Sequence, residues 1–254
     1  MYDDLSADYD RFVDWEGRLL AEIPFLMQQL QAVEARRVLD AACGTGMHAI
    51  ALAKRDYEVF GTDVSQGMID RARENAAQAN VAMHFQRAGF GELAGALQPA
   101  ARLDAVLCLG NSLPHAQTAE SLAATLSDFA ACLRPGGLLL IQNRNFNAVL
   151  AAQDRWMEPQ SYRDGDAEWL FVRFYDFTAS GLLTFNMVRL KRHGDGAWTQ
   201  RVTSTNLWPQ TRDELVEALE EAGFEAIACF GDLESAQFDP ADSPNLVIVA
   251  SKGQ

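Results

Sequence analysis

Long apolar runs are missing from this chain: none approaches the roughly 18 to 20 residues of a membrane span. The opening residues Met1-Tyr2-Asp3-Asp4 lack the basic, apolar layout of a secretion signal. Cysteine is sparse. Cys43, Cys108, Cys132 and Cys229 stand in no metal-ligand spacing, so no metal is expected, and they read as reduced thiols of a cytoplasmic protein. Positive charge is short too. Lys54, Lys191 and Lys252 are the only lysines, no basic cluster occurs, and the net charge is −14. Such a surface repels nucleic acid and anionic lipid, which leaves a small molecule as the expected partner; a homo-oligomer stays open. Repeats and low-complexity tracts are absent as well. What is plentiful is apolar residues, 48% of 254, enough for the core of one large domain or of one domain with an insertion.

The segment Arg37-Val38-Leu39-Asp40-Ala41-Ala42-Cys43-Gly44-Thr45-Gly46 is the most informative part of the chain. It reads as a buried strand running into a glycine turn, with a helix starting near Met47. Gly44 and Gly46 lack the Cβ that would hold a ligand off the backbone, and the helix amides face the turn. A second apolar strand, Tyr57 to Thr62, ends on Asp63, seventeen residues past Gly46. An acid there is placed to accept both hydroxyls of a ribose. Asp40, at the mouth of the same turn, repels a pyrophosphate but suits an ammonium group. S-adenosylmethionine (SAM) carries an ammonium and no phosphate, so the sign of the charge favours it over a dinucleotide.

The remaining segments alternate. Helical spacing covers Phe12 to Val33, Met68 to Gln78 behind a Ser65 cap, and Ala119 to Leu133. Strands are expected at Val81–Phe85, Asp104–Leu109 and Leu138–Ile141, the last after the stop Arg134-Pro135-Gly136-Gly137. After Asn147 the pattern changes to three antiparallel strands near 170–175, 183–188 and 200–205, then a helix from Thr211 to Ala222 and strands at Phe224–Phe230 and Asn245–Ala250. The order predicts an α/β fold: a Rossmann-like, doubly wound, seven-stranded and mostly parallel sheet in a single domain over 1–254. A small antiparallel β-insertion at about 165–207 follows the fifth strand and is expected to act as a lid that excludes water.

Val38 to Gly46, Asp63, Asp104-Ala105-Val106 and Leu133 to Gly137 together resemble the class I SAM-dependent methyltransferases over nearly the whole chain. Cys108 to His115, containing Leu109-Gly110-Asn111-Ser112, and Asn143-Arg144-Asn145-Phe146 are more narrowly similar to the glycine and sarcosine N-methyltransferases. The resemblance implies that Asp63 holds the ribose, that Ala42, Gly44 and Gly46 line the path of the methionine part, and that Asp40 faces its ammonium. It places Arg18 on the SAM carboxylate, Phe90 against adenine and Leu109 near the ribose or sulfonium. Tyr9 and Trp15 belong to an N-terminal segment, about 1–34, that closes over the cofactor. Gly89 departs from the polar residue usual at its position, and Phe146 from a tyrosine. Asn111 and Arg144 match residues that hold the acceptor's carboxylate.

Plainer roles compete for several of these residues. Arg18 also fits an exposed helix position, His115 a helix cap or loop filler rather than a general base, and Trp15, Trp169 and Trp208 ordinary packing. Three functions are consistent with the chain. One is N-methylation of glycine, sarcosine or a related amino acid, and another is O-, N- or C-methylation of a secondary metabolite. The third is SAM binding without catalysis or a dinucleotide oxidoreductase. In the methyltransferase readings the product is S-adenosylhomocysteine. An oxygen acceptor would need a base, for which His115 is the near candidate.

Overall fold

The computed structural model describes residues 2–97 and 102–254. Helices α1 (Tyr2–Phe12) and α2 (Trp15–Ala32) precede β1 (Arg37–Ala41), α3 (Met47–Ala53), β2 (Glu58–Asp63), α4 (Gln66–Gln78) and β3 (His84–Arg87). The second half of the sheet follows with α5 (Leu93–Ala96), β4 (Leu103–Cys108), α6 (Ala119–Cys132) and β5 (Leu133–Arg144). Then come α7 (Phe146–Ala152), the strands β6 (Gln160–Asp164), β7 (Ala167–Phe177), β8 (Leu183–His193) and β9 (Thr199–Leu207), and finally α8 (Arg212–Glu221), β10 (Phe224–Phe230) and β11 (Asn245–Lys252).

The main sheet has the order β10-β11-β5-β4-β1-β2-β3, with β11 antiparallel to both its neighbours and the other pairs parallel. The chain leaves β1 toward β2 and β3, then crosses to β4 on the other side. That reversal opens a crevice at the carboxyl ends of β1 and β4, where doubly wound folds bind ligands. Alternate side chains feed two cores. Val38, Leu107, Leu140 and Val247 pack with Leu26, Leu30, Leu52 and Ile69 of α2, α3 and α4. Leu39, Val106, Leu139 and Ile248 pack with Leu126, Phe129, Leu215 and Leu219 of α6 and α8. Both faces of the central strands are therefore dry, which explains their unbroken apolar runs.

Several boundaries differ from the sequence expectation; the fifth strand, for one, begins at Leu133 and runs through the Arg134-Pro135-Gly136-Gly137 segment read as a stop. The helix expected from Phe12 to Val33 is α2, which starts at Trp15 because Asp14 accepts the Gly17 amide at 3.2 Å and caps it, and a further helix, α1, precedes it. The third strand lies at His84–Arg87, later than Val81–Phe85; it is an edge strand on which only Phe85 is buried, so apolar content misplaced it. Helix α7 was not expected. The antiparallel insertion is a sheet of four strands, β6-β7-β8-β9, and begins at Gln160 rather than near 165. Its first strand is exposed at all five residues and carries no apolar alternation to betray it.

The two units meet through α1. On one side Asp3 accepts from Ser65 Oγ at 2.6 Å and the Gly67 amide at 3.0 Å, while Asp10 accepts from Thr45 Oγ1 at 2.6 Å, Arg71 Nε at 2.9 Å and Asn75 Nδ2 at 3.1 Å. On the other, Arg189 of β8 pairs with Asp8 at 2.8 Å and Arg201 of β9 with Asp4 at 2.6 Å. Leu5 packs with Trp169, Phe171 and Met187 of the small sheet. Among the described residues no helix is long and apolar enough to cross a membrane.

Candidate active site

Two adjoining cavities occupy the crevice. The first, of about 500 Å³, is lined by Ala42, Gly44, Asp63, Met68, Gly89 and Phe90, with Ser112 and Thr205 at its rim. The second, of about 480 Å³, is lined by Asn111, Gln142, Arg144, Arg173, Tyr175 and Asn245, with Arg18 and Glu22 at its N-terminal wall. Tyr2, Tyr9, Gly110 and His115 line both, so a group held in one cavity faces the other across these four residues.

Asp63 shapes the first cavity. Its two oxygens accept the Gly44 amide at 2.9 Å and the Ser65 amide at 2.8 Å, so one carboxylate ties the glycine turn to the start of α4. Burial raises its pKa, against the pull of those two amides. Each oxygen retains a lone pair for a hydroxyl donor. Ala42 adopts φ 57° although it is not glycine, and Gly44 follows at φ 55° with open space beside it up to Tyr9 Cε1, 4.0 Å from where a Cβ would stand. Left-handed backbone held at a non-glycine residue stores strain of the kind that clusters at ligand clamps. Phe90 stands edge-on to Phe129, 5.7 Å between centroids, which leaves a ring at the cavity wall for a flat ligand.

Four residues expected at the cofactor are not on a cavity wall. Gly46, at φ 78°, is a packing glycine: a Cβ there would sit 3.0 Å from Ala72 Cβ and from the Phe85 ring. Leu109 is buried in the core beneath α2 and α3. Trp15 donates its Nε1 to Asp10 at 3.1 Å and packs edge-on to His48. Asp40 is buried beneath the turn, and its Oδ2 has no hydrogen-bond partner. Burial, with Asp63 nearby, pushes its carboxyl up to about 7, the Ala49 amide opposing. A buried carboxyl with one oxygen left without a partner fits a cationic group close by. Arg18 stands on the wall of the second cavity rather than the first, with its Nε on Glu22 at 2.9 Å. His48 meets the same Glu22 at 2.6 Å, and the two partners hold this acid low despite its burial.

The second cavity is built at the ends of β4 and β5. Gly110 and Asn111 are both left-handed, at φ 70° and 64°. That bend lets the Gly110 amide donate to Gln142 Oε1 at 2.7 Å and the Asn111 amide to Gln142 O at 3.0 Å. Asn111 Oδ1 accepts the Arg144 amide at 2.9 Å, so Asn111 and Arg144 are held side by side. Asparagine tolerates this conformation better than most side chains. Asn145 turns away from the cavity; its Nδ2 holds the carbonyls of Asp239, Pro240 and Ser243. Phe146 is fully buried against Tyr175, Leu183 and Leu207, where a hydroxyl would have no water. His115 lies in a short 3-10 turn, Leu113–His115, and its Nε2 meets Tyr2 Oη at 2.8 Å. Burial lowers its pKa to about 4, so it is neutral at pH 7 and a poor proton acceptor.

Sequence reasoning passed over Tyr2, Gln142, Arg173 and Tyr175. A signal for Arg173 existed: Trp169, Phe171, Arg173 and Tyr175 share one face of β7, which puts an arginine into an otherwise apolar row. Trp169 itself is buried packing, and Trp208 leans on the core beside α8.

Fold and cavities define a class: a doubly wound α/β protein with a glycine turn and a buried acid on the wall of a cavity at the carboxyl ends of its strands. Comparison with known proteins agrees. A family model described as a methyltransferase domain matches residues 38–137. The glycine/sarcosine N-methyltransferase of Aphanothece halophytica is 30% identical over 246 residues, spanning 96% of this chain and 86% of that protein. A SAM-dependent methyltransferase of Clostridium acetobutylicum superposes with a TM-score of 0.79 at 13% identity, covering 100% of this chain and 99% of that one. CalS10 of Micromonospora echinaspora, an amino pentose methyltransferase solved with SAM bound, superposes with a TM-score of 0.70 at 20% identity, over 99% and 92% of the two chains. The chain belongs to the SAM-dependent methyltransferase family. It is a SAM-dependent enzyme acting on a small-molecule acceptor.

Proposed function

We propose that the acceptor is the amine of a small α-amino acid, of which glycine and sarcosine are the simplest, and that Asn111 and Arg144 hold its carboxylate. The observation that carries this reading is the pairing of the two residues by the 2.9 Å contact, at the carboxyl ends of neighbouring strands in the cavity next to the cofactor's. A guanidinium and an amide fix a carboxylate in direction as well as place. The relative from Aphanothece halophytica, named for glycine and sarcosine, supports the same reading.

Bound SAM supplies an electrophilic methyl group on a sulfonium. In this reading the chain supplies the rest. Asp63 accepts the ribose hydroxyls, Phe90 packs on the adenine, and Asp40 lends negative charge beneath the ammonium. Arg144 and Asn111 point the acceptor's amine across Gly110 toward the first cavity. Alignment of this kind is worth several kcal/mol of barrier. His115, neutral and hydrogen-bonded to Tyr2, orients rather than deprotonates, so the amine must arrive uncharged, and the N-methylated ammonium that attack forms loses its proton only after release. Helix α1 and the small sheet close over both cavities and exclude water. The acidic surface argues against a nucleic-acid substrate.

The test is transfer of labelled methyl from SAM to glycine, sarcosine, dimethylglycine and other small amino acids, with several phenols alongside. Turnover on amino acids, with the KM raised ten- to a hundredfold in Arg144→Ala and SAM affinity unchanged, is expected. Turnover on phenols alone, or amino-acid turnover indifferent to Arg144→Ala, overturns the reading.

A further inference from the structure

The second cavity holds more positive charge than one carboxylate can use. Arg173, at the middle of β7 and opposite Met187 of β8, sends its guanidinium over the Phe12 ring at 4.7 Å. Its Nε is buried without a hydrogen-bond partner. Burial and the nearby Arg144 both lower its pKa, so the two guanidinium groups repel each other across the cavity. Among the described residues neither makes an ion pair with an acid. The acids on the same wall are engaged elsewhere, Glu22 by Arg18 and His48, and Asp14 by the Gly17 amide. In a chain of net charge −14, two arginines left facing one cavity mark a place for anions.

A buried, unpaired donor on a charged group is expensive unless a ligand satisfies it. A single carboxylate on Asn111 and Arg144 leaves Arg173 uncompensated, whereas two carboxylates neutralise the pair. Size points the same way: about 480 Å³ is in the range of pockets that enclose ligands much larger than a two-carbon amino acid.

We propose that Arg173 forms a second anion subsite and that the preferred acceptor is an amine carrying two carboxylates, one on Asn111 and Arg144 and the other on Arg173. This rests on the carboxylate reading of Arg144 above. Glycine and sarcosine then fill one subsite, and amino dicarboxylates fill both.

The experiment is isothermal titration of the full chain, saturated with S-adenosylhomocysteine, with acetate, succinate and glutarate as unreactive probes. Succinate or glutarate is expected to bind at least tenfold more tightly than acetate. Arg173→Met should abolish that preference while leaving acetate within threefold of wild type, and Arg173→Lys should keep part of it. Retained S-adenosylhomocysteine affinity shows that each variant is folded. Dicarboxylates no tighter than acetate would overturn the second subsite and leave the Arg144 reading standing. Equal weakening of acetate and dicarboxylates in Arg173→Met would mean that both arginines grip one carboxylate, which also overturns it. If wild type binds none of the three, the carboxylate reading of Arg144 fails and this proposal with it.

Discussion

The carboxyl of Asp40 gives a sharp expectation for the pH dependence of SAM binding. In the free protein burial and Asp63 raise it to about 7, and its Oδ2 is unpartnered. A cation above the turn favours its ionised form. Asp40 is under the cavity rather than on its wall, so the relevant separation is longer than a contact. At about 8 Å and an effective dielectric of about 20 a unit pair is worth about 2 kcal/mol, or about 1.5 pKa units. Linkage then requires SAM to bind about tenfold more weakly at pH 5.5 than at pH 7.5, with about half a proton released on binding at pH 5.5. The free protein should show the opposite trend. A carboxyl whose folded pKa lies above its unfolded value stabilises the fold while protonated, so stability is lost as pH rises from about 4 to 7. Titration calorimetry in two buffers of different ionisation enthalpy counts the proton directly. Asp40→Asn should flatten the dependence. An affinity that changes less than threefold over this range, or an Asp40→Asn variant that keeps the full dependence, would refute the argument.

Asp63→Ala removes the acceptor of two amides and of the proposed ribose contacts, and should weaken SAM at least a hundredfold by calorimetry while lowering the unfolding temperature of the free protein. Gly46→Ala forces a Cβ to 3.0 Å from Ala72 and Phe85 at φ 78°; a loss of about 2 to 3 kcal/mol in denaturant unfolding is expected, far more than for a glycine in open space without positive φ such as Gly95. His115, lowered to about 4 by burial, should cost the fold stability as pH falls from about 6.5 toward 4, because the unfolded chain takes up a proton there that the folded one refuses. His115→Gln should remove that part of the acid slope, measured by thermal unfolding across the range.

What the sequence revealed depended on how local the cause is. Val38 to Gly46 and Asp63 were legible because strand burial, left-handed glycine and the carboxyl end of the next strand are each written within a few residues. Asn111 and Arg144 were legible as ends of neighbouring strands. Which way a side chain faces was harder to read. Leu109 and Gly46 sit within the right segments but turn into the core, since α2, α3 and α4 cover that face of the sheet. Arg18 is held toward the second cavity by Glu22. Tyr2 and Arg173 reach the site only because α1 and β7 fold over it, and contacts of that range leave no spacing pattern in the chain. The polar edge strand at Gln160–Asp164 was invisible for a different reason: nothing about it is buried.

The way α1 is held also bears on how ligands enter. Tyr2 and Tyr9 line both cavities, so the helix must move for either to fill from that side. Its ties to the small sheet include Asp4–Arg201, which is about half exposed on each partner, and Asp8–Arg189, which is better covered. Exposed pairs are worth about 0 to 1 kcal/mol and weaken with salt. Its ties to the cofactor half are hydrogen bonds from Thr45, Ser65, Arg71 and Asn75 to Asp3 and Asp10, residues that also border the glycine turn and α4. In its polar ties, α1 is therefore held less firmly to the small sheet than to the cofactor half, and what remains on the sheet side is the apolar packing of Leu5 and Phe12 on Trp169, Phe171 and Met187. Opening there exposes the second cavity while leaving the first covered, an asymmetry that suits an enzyme which binds cofactor first and acceptor second. Arg201→Ala should then speed acceptor association, read as a faster on-rate in stopped flow, without changing the SAM off-rate. Equal acceleration of both would mean that α1 detaches as a whole and that no order is built into the seam.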